Sequence, residues 1–118
     1  MRPELTFDSG SWQGFFTDDR AYPGRPAGQQ WKLDVHLAFM NHSSDTKTFF
    51  GFGTDDIGEF QFTDGRVKAG AVSYLKQYST HTVTYYGQQR GHMMSGRWFL
   101  TDFPWVQGGW SLWPHVQN

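Results

Sequence analysis

The sequence contains no cysteine, carries almost no net charge and has no long apolar run, and each absence excludes a class of protein. Without cysteine there are no disulfides and no thiolate metal ligands, which is typical of a reducing compartment. No segment approaches the about 18 consecutive apolar residues of a membrane helix, and the first residues do not resemble a secretory signal. We therefore expect a cytoplasmic protein.

The net charge of -1 comes from 10 basic and 11 acidic residues that are interspersed along the chain. Proteins that bind nucleic acid or anionic membranes by charge present a concentrated basic patch. The sequence therefore predicts neither a nucleic-acid partner nor a membrane partner. The 5 histidines do not follow a metal-ligand spacing, so neither a metal nor another cofactor is expected.

Aromatic residues are abundant, at 19% of the chain, and there are 14 glycines. This composition is typical of β-proteins, because aromatic side chains favour strands and glycine favours the turns between them. Segments in which apolar and polar residues alternate are separated by turn signals. They cover residues 11–17, 30–40, 48–54, 59–63, 66–78, 81–87, 92–100 and 109–113.

Short strands with short connections favour a meander, and eight of them can close into a barrel that has no exposed edge. We therefore predict an all-β fold, an eight-stranded antiparallel up-and-down β-barrel that occupies residues 1–118 as a single domain. Closure would place residues 12–15 beside residues 109–112.

The turn signals also predict strand registers. Phe50 is expected to pair with Phe62 inside the barrel, and Phe52 is expected to pair with Phe60. A turn at Asp64-Gly65 would then start the next strand.

This next strand must change phase, because its first inward residues are odd-numbered and those from Val72 to Tyr78 are even-numbered. We predict a β-bulge at Gly70-Ala71, where a glycine makes an insertion sterically cheap. In the hairpin that follows residue 87, Tyr85 is expected to lie opposite Met94. The same register places His81 opposite Trp98.

The strongest functional signal is a hairpin over residues 72–87, around a two-residue turn at Ser79-Thr80. The pairs predicted on its inward face are Tyr78 with His81, Lys76 with Val83, and Tyr74 with Tyr85. A lysine and a histidine buried among aromatic rings suggest a pocket more than an ordinary core. The predicted ligand-binding residues are Tyr74, Lys76, Tyr78, His81, Tyr85 and Trp98.

Each charged candidate also has an alternative role. Lys76 could lie at a strand end and extend its amine to solvent at the barrel rim. His81 could be a rim histidine bonded to a backbone carbonyl. Asp55 and Asp56 fit a turn in which the carboxylate accepts hydrogen bonds from its own backbone, better than they fit a pair of catalytic carboxylates.

Three motifs stand at Trp12-x-Gly14, Tyr78-x-x-His81-x-Val83-x-Tyr85-x-Gly87 and Gly96-x-Trp98-x-Leu100. In order and spacing they resemble the small meander barrels of the avidin family and, more loosely, the lipocalins. The resemblance implies a meander barrel with a ligand in its mouth. It does not imply biotin, because the polar donors that avidins use are replaced by apolar side chains. These are Phe15, Phe16, Leu37, Phe50 and Phe52.

A second resemblance covers more of the chain. The spacing Gly51-x-Gly53-x-Asp55-x-x-Gly58-x-Phe60, with the hairpin that follows it, is similar to a set of small barrel domains with no assigned activity. This resemblance implies the barrel and no function.

The sequence leaves three functions open. The first is a small-molecule binding protein that holds an apolar or aromatic ligand in the barrel mouth. The second is a small barrel enzyme, namely an isomerase, cyclase or hydrolase. In that enzyme His81 and Lys76 would act as general acid and base, and the Tyr85 hydroxyl would act as an electrophile.

The third function is a protein-interaction module. Outward-facing Phe99 and Tyr86 beside Arg97 predict an apolar strip on the outside of the barrel. Such a strip favours a homo-oligomer, either a dimer or a tetramer.

Overall fold

The computed structural model describes residues 9–21, 23–24 and 27–115, and it contains eight antiparallel strands that close into a barrel. Strands that follow one another along the chain are also neighbours in the sheet, so the barrel is an up-and-down meander. The strands are β1 (Gly10–Thr17), β2 (Gln30–Asn41), β3 (Thr46–Asp55), β4 (Glu59–Lys68), β5 (Ala71–Tyr78), β6 (Thr82–Arg90), β7 (Met93–Leu100) and β8 (Phe103–Pro114). The predicted fold is confirmed.

The barrel closes between its first and last strands, as predicted, with Gly14 of β1 paired to Leu112 of β8. The last strand begins at Phe103, well before residue 109, where the alternation was expected to start. Its early part is hard to recognise in the sequence because Phe103 and Trp105 are aromatic and yet point outward. Their side chains are 52% and 71% exposed.

Inward side chains fill the barrel. Among the described residues, the seven largest with less than 2% of the residue surface exposed are Trp12, Phe62, Lys76, Leu37, Met94, Leu112 and Val67. Six of the seven are apolar, so the buried lysine stands apart from the rest of the core. None of the described residues forms a helix long and apolar enough to cross a bilayer.

The predicted positions of one turn and one bulge are wrong, although the change of phase that required them is real. Asp64-Gly65 is a bulge within β4, where the register shifts between Thr63 and Arg66. The hairpin turn lies at Ala69-Gly70 instead, so the expected bulge at Gly70-Ala71 is absent. Only Asp64 has a positive φ at the bulge, at 54°, whereas both residues of the turn have positive φ. A two-residue turn of type I′ needs two such residues in succession.

The predicted register between β3 and β4 is wrong by one residue. Phe62 pairs with Gly51 and Phe60 pairs with Gly53, so Phe50 and Phe52 point outward, each 60% exposed. The physical reason is space inside the barrel. A Cβ at Gly51 would lie 2.6 Å from the His36 carbonyl oxygen, and a Cβ at Gly53 would lie 2.9 Å from the Phe60 ring.

The predicted register between β6 and β7 is also wrong, but the predicted faces are correct. Tyr85 pairs with Trp98, and Met94 pairs with Gln89. The strands are longer than expected and turn only at residues 91–92, which slides the register. Because the slide is an even number of residues, Tyr85, Met94 and Trp98 all still point inward.

We predict that Ala69→Asn stabilises the protein. Ala69 has a φ of 50°, a conformation that costs an alanine about 1 kcal/mol and that asparagine adopts more readily. The free energy of unfolding in urea should therefore rise by up to about 1 kcal/mol. Ala71→Asn, on an exposed strand position two residues away, is the matched control and should bring no gain. An equal or opposite response of the two variants would contradict the type I′ turn.

Candidate functional site

One end of the barrel brings several polar candidates together. It is the end at which β3 and β5 finish and β4 and β6 begin, and we call it the upper end. Asp55 is the last residue of β3, Phe60 lies at the start of β4, and Lys76 and Tyr78 lie at the end of β5. Side chains two residues apart on a strand point to the same face, so Lys76 and Tyr78 both turn inward.

The Lys76 ammonium and the Asp55 carboxylate form an ion pair that is closed off from solvent. Nζ lies 2.6 Å from Oδ2, and neither side chain has exposed surface. Nζ also lies over four rings, 4.4 Å from the centroid of Phe60, 4.6 Å from Phe16, 5.0 Å from Tyr78 and 5.8 Å from Tyr85. The rings and the carboxylate offset part of the cost of removing the cation from water. The amine does not extend to the solvent at the rim.

Burial lowers the pKa of Lys76 to about 8, while the charge of Asp55 acts in the opposite direction. Desolvation penalises the charged form of an amine, and a nearby carboxylate favours it. At neutral pH Lys76 therefore carries a positive charge, which the Asp55 carboxylate balances.

Asp55 uses both carboxylate oxygens. Its Oδ1 accepts hydrogen bonds from the backbone N–H groups of Ile57, at 2.9 Å, and Gly58, at 3.3 Å. This is the turn role expected from the sequence. Its Oδ2 accepts from Lys76 and from the hydroxyl of Tyr78, at 2.5 Å, a role that sequence reasoning missed. The signal for it is the alternation Gly51, Gly53, Asp55, which places Asp55 on the inward face once the glycines are assigned to that face.

The predicted pairs of the β5–β6 hairpin are confirmed. Lys76 pairs with Val83 and Tyr74 with Tyr85, and the Tyr78 N–H donates to the His81 carbonyl oxygen at 2.9 Å.

The Tyr78 and His81 rings stack, with centroids 4.7 Å apart. Burial raises the pKa of Tyr78, and its hydrogen bond to Asp55 raises it further, so the phenol stays protonated and donates. The His81 ring is half-buried, and its Nδ1 lies 2.9 Å from the Thr80 hydroxyl.

Tyr74 and Tyr85 belong to the aromatic core below the ion pair. Their rings stack at 4.7 Å, and Tyr74 also lies 4.4 Å from the Phe62 ring and 5.2 Å from Trp110. Burial raises the pKa of both phenols. Tyr85 lies close enough to the ion pair for its ring centroid to be 5.8 Å from the Nζ of Lys76.

Trp98 forms part of the wall of the barrel near the upper end. Its indole N–H donates to the Thr17 carbonyl oxygen at 2.8 Å, which joins β7 to the end of β1. Its ring packs edge-on against Phe16. The expected pairing of Trp98 with His81 is wrong, because Trp98 pairs with Tyr85 on β6.

The proposed acid–base groups do not all meet at one point. Lys76 and Tyr85 are neighbours, whereas the His81 ring contacts Tyr78 and Thr80. Lys76 is bonded to Asp55 and has no exposed surface through which a substrate could reach it. Among the residues that the structure describes, no three His, Asp or Glu side chains are grouped in a way that could hold a metal ion.

An open cleft of about 520 Å³ lies against the upper end, between the outer sides of β3, β4 and β5. Its lining includes Tyr78 and Phe60, although Phe60 is only 3% exposed, and the rings of both lie over the Lys76 ammonium. Phe52, Gln61 and Gln77 complete an aromatic and amide-rich lining. Glu59 adds one carboxylate to the lining, whereas Lys76 and Asp55 are not part of it.

No protein-family model matches the chain, and no curated protein shows significant sequence similarity to it.

We predict that Asp55→Asn destabilises the protein by about 3 kcal/mol, because it leaves a buried cation without its counter-charge. The amide retains an oxygen for the two turn N–H groups, so the loss reports mainly on the ion pair. The double variant Asp55→Asn/Lys76→Met removes both charges and should recover most of the loss. Urea unfolding of the wild type and the two variants measures this. A double variant that is no more stable than Asp55→Asn would contradict the coupling.

The ion pair should also make stability depend on pH. Lys76 has a pKa of about 8 in the folded protein and 10.5 as an ordinary lysine, so between these values the unfolded chain binds more protons. Stability should therefore rise by about 2 kcal/mol between pH 8 and pH 10, relative to the double variant. Below pH 8 the lysine is protonated in both states and the difference between the two proteins should level off. A flat or falling difference from pH 8 to 10 in urea titrations would contradict the shift.

Proposed function

We propose that the protein binds a small apolar or aromatic molecule in the cleft at the upper end of the barrel. The observation that carries this proposal is that Tyr78, whose hydroxyl the buried Asp55 carboxylate holds, lines the cleft. Its volume of about 520 Å³ falls in the range that small-molecule sites occupy.

The lining matches such a ligand. Phe52 and Tyr78 offer ring surfaces, while Gln61 and Gln77 can donate and accept hydrogen bonds at the edges of the ligand. Sites of this kind combine an apolar wall with a few polar groups that fix orientation.

The ion pair would affect ligand binding through Tyr78, which lines the cleft and bonds to Asp55. Asp55 accepts the Tyr78 hydroxyl and is itself held by Lys76 and by two backbone N–H groups. This network fixes the Tyr78 ring before a ligand arrives, and a wall that is already ordered loses less entropy on binding.

The avidin and lipocalin families hold a ligand at the mouth of the barrel. The resemblance to them supports a ligand site at an end of this barrel. Here the interior is filled by rings such as Phe62, Tyr74 and Tyr85. The proposed ligand therefore lies beside the mouth, outside the strand layer. The enzyme alternative has less support, because His81 does not meet Lys76 and Tyr85 at one point.

The test is a fluorescence titration with the aromatic probe 1-anilinonaphthalene-8-sulfonate. We expect saturable binding to the wild type and binding at least about tenfold weaker in Gln77→Trp, because the added ring fills the cleft. Ser73→Trp is the matched control, since Ser73 is also exposed on β5 but lies outside the cleft. Equal binding by the wild type and Gln77→Trp, or no saturable binding at all, would overturn the proposal.

A further inference from the structure

The outer side of β2, β3 and β4 presents side chains in cross-strand rows. From the upper end downward, the rows are Asp34, Thr54 and Glu59; His36, Phe52 and Gln61; Ala38 and Phe50; and Met40, Thr48 and Arg66. We call this surface the β2–β4 face. Its rows follow directly from the register set by Gly51 and Gly53.

The centre of the face is an exposed apolar patch formed by Phe50 and Phe52 of β3. Phe50 and Phe52 are each 60% exposed, and Met40 beside them is 61% exposed. The His36 ring stacks on Phe52 with centroids 5.6 Å apart, which extends the flat aromatic surface across β2. Adjacent exposed side chains of this size are typical of a surface that a partner covers.

The two outer rows carry opposite charge. Asp34 and Glu59 lie in the upper row, and Arg66 lies in the lower row. None of the three forms an ion pair with another residue in the described part of the chain. Glu59 and Arg66 lie on the same strand, one row beyond Phe52 and one row beyond Phe50 respectively.

We propose that the β2–β4 face binds the same face of a second copy, around a two-fold axis that crosses the strands between the Phe50 and Phe52 rows. Phe52 then packs against Phe50 of the partner subunit, and Glu59 lies opposite Arg66 of the partner subunit. The symmetry repeats each contact, so the interface has an apolar centre and an ion pair on either side.

Charge selects this arrangement over the other face-to-face dimer. A two-fold axis parallel to the strands would place like rows together, with Glu59 near Asp34 of the partner subunit. Like charges brought together at an interface are unfavourable. The axis across the strands brings opposite charges together instead.

The area of the β2–β4 face determines how tightly the two copies are expected to associate. Three strands about 4.8 Å apart and four rows about 6.6 Å apart cover roughly 400 Å². A standard interface buries about 800 Å² on each partner, so we expect a dimer that dissociates at micromolar concentrations.

The strip predicted from the sequence is a weaker candidate for this role. Tyr86 is 46% exposed and packs against a half-buried Phe99, while Arg97 already forms an ion pair with Asp19. Tyr86→Ser therefore serves as a control for loss of an exposed aromatic residue on another face.

Sedimentation velocity tests the proposal at protein concentrations between about 5 and 500 µM, which span the expected dissociation range. The fluorescent probe is left out, because Phe52 and Glu59 also line the cleft in which it would bind. The wild type and Tyr86→Ser should shift from monomer to dimer as concentration rises. Phe50→Ser should remain monomeric. Since Phe50 does not line the cleft, its probe binding should be unchanged at submicromolar protein, where the wild type is also monomeric. A wild type that stays monomeric throughout, or a Phe50→Ser variant that dimerises normally, would overturn the proposal.

A charge swap separates the proposed geometry from any other dimer. Glu59→Arg and Arg66→Glu should each weaken dimerisation at least about tenfold, because each places like charges opposite one another. The double variant Glu59→Arg/Arg66→Glu restores opposite charges across the axis and should dimerise like the wild type. Failure of the double variant to recover, with its fold intact by circular dichroism, would overturn the arrangement.

Discussion

The desolvated ion pair between Lys76 and Asp55 is the interaction on which the upper end of the barrel depends. It joins β3 to β5 across the intervening strand β4, so it fixes two strands that do not pair with each other. Asp55 accepts four hydrogen bonds, from Lys76, Tyr78, Ile57 and Gly58, which satisfies a carboxylate that has no contact with water. The Asp55 carboxylate therefore contacts the turn after β3, the end of β5 and, through Tyr78, the wall of the cleft.

The position of Asp55 depends in turn on how glycines and phenylalanines fit together. Gly51 and Gly53 face the interior beside the rings of Phe62 and Phe60, because a Cβ at either glycine would strike the backbone of β2. The alternation along β3 then places Asp55 inside. The same alternation places Phe50 and Phe52 outside, so one choice of register creates both the buried ion pair and the exposed aromatic face.

The sequence allowed the barrel and the central hairpin to be predicted, since alternation and turn residues are local signals. The register of β3 on β4 was not predictable in the same way. Phe50 and Phe52 carry the hydrophobic signal of that strand, and the glycines that occupy its inward face carry none. The turn predicted at Asp64-Gly65 is wrong for a related reason. The same pair of residues suits both a turn and a bulge, and only the length of β4 distinguishes the two structures.

The arrangement at the upper end also determines what a ligand in the cleft would meet. The lining combines the rings of Phe52 and Tyr78 and the amides of Gln61 and Gln77 with the carboxylate of Glu59, so a ligand would meet mainly uncharged groups and one negative charge. Selection would then depend on shape and on aromatic packing, both of which require the rings to be held still. Because Tyr78 is held through Asp55, a change in the ion pair would reach the ligand as a change in the wall, which explains how a lysine with no exposed surface can still bear on binding.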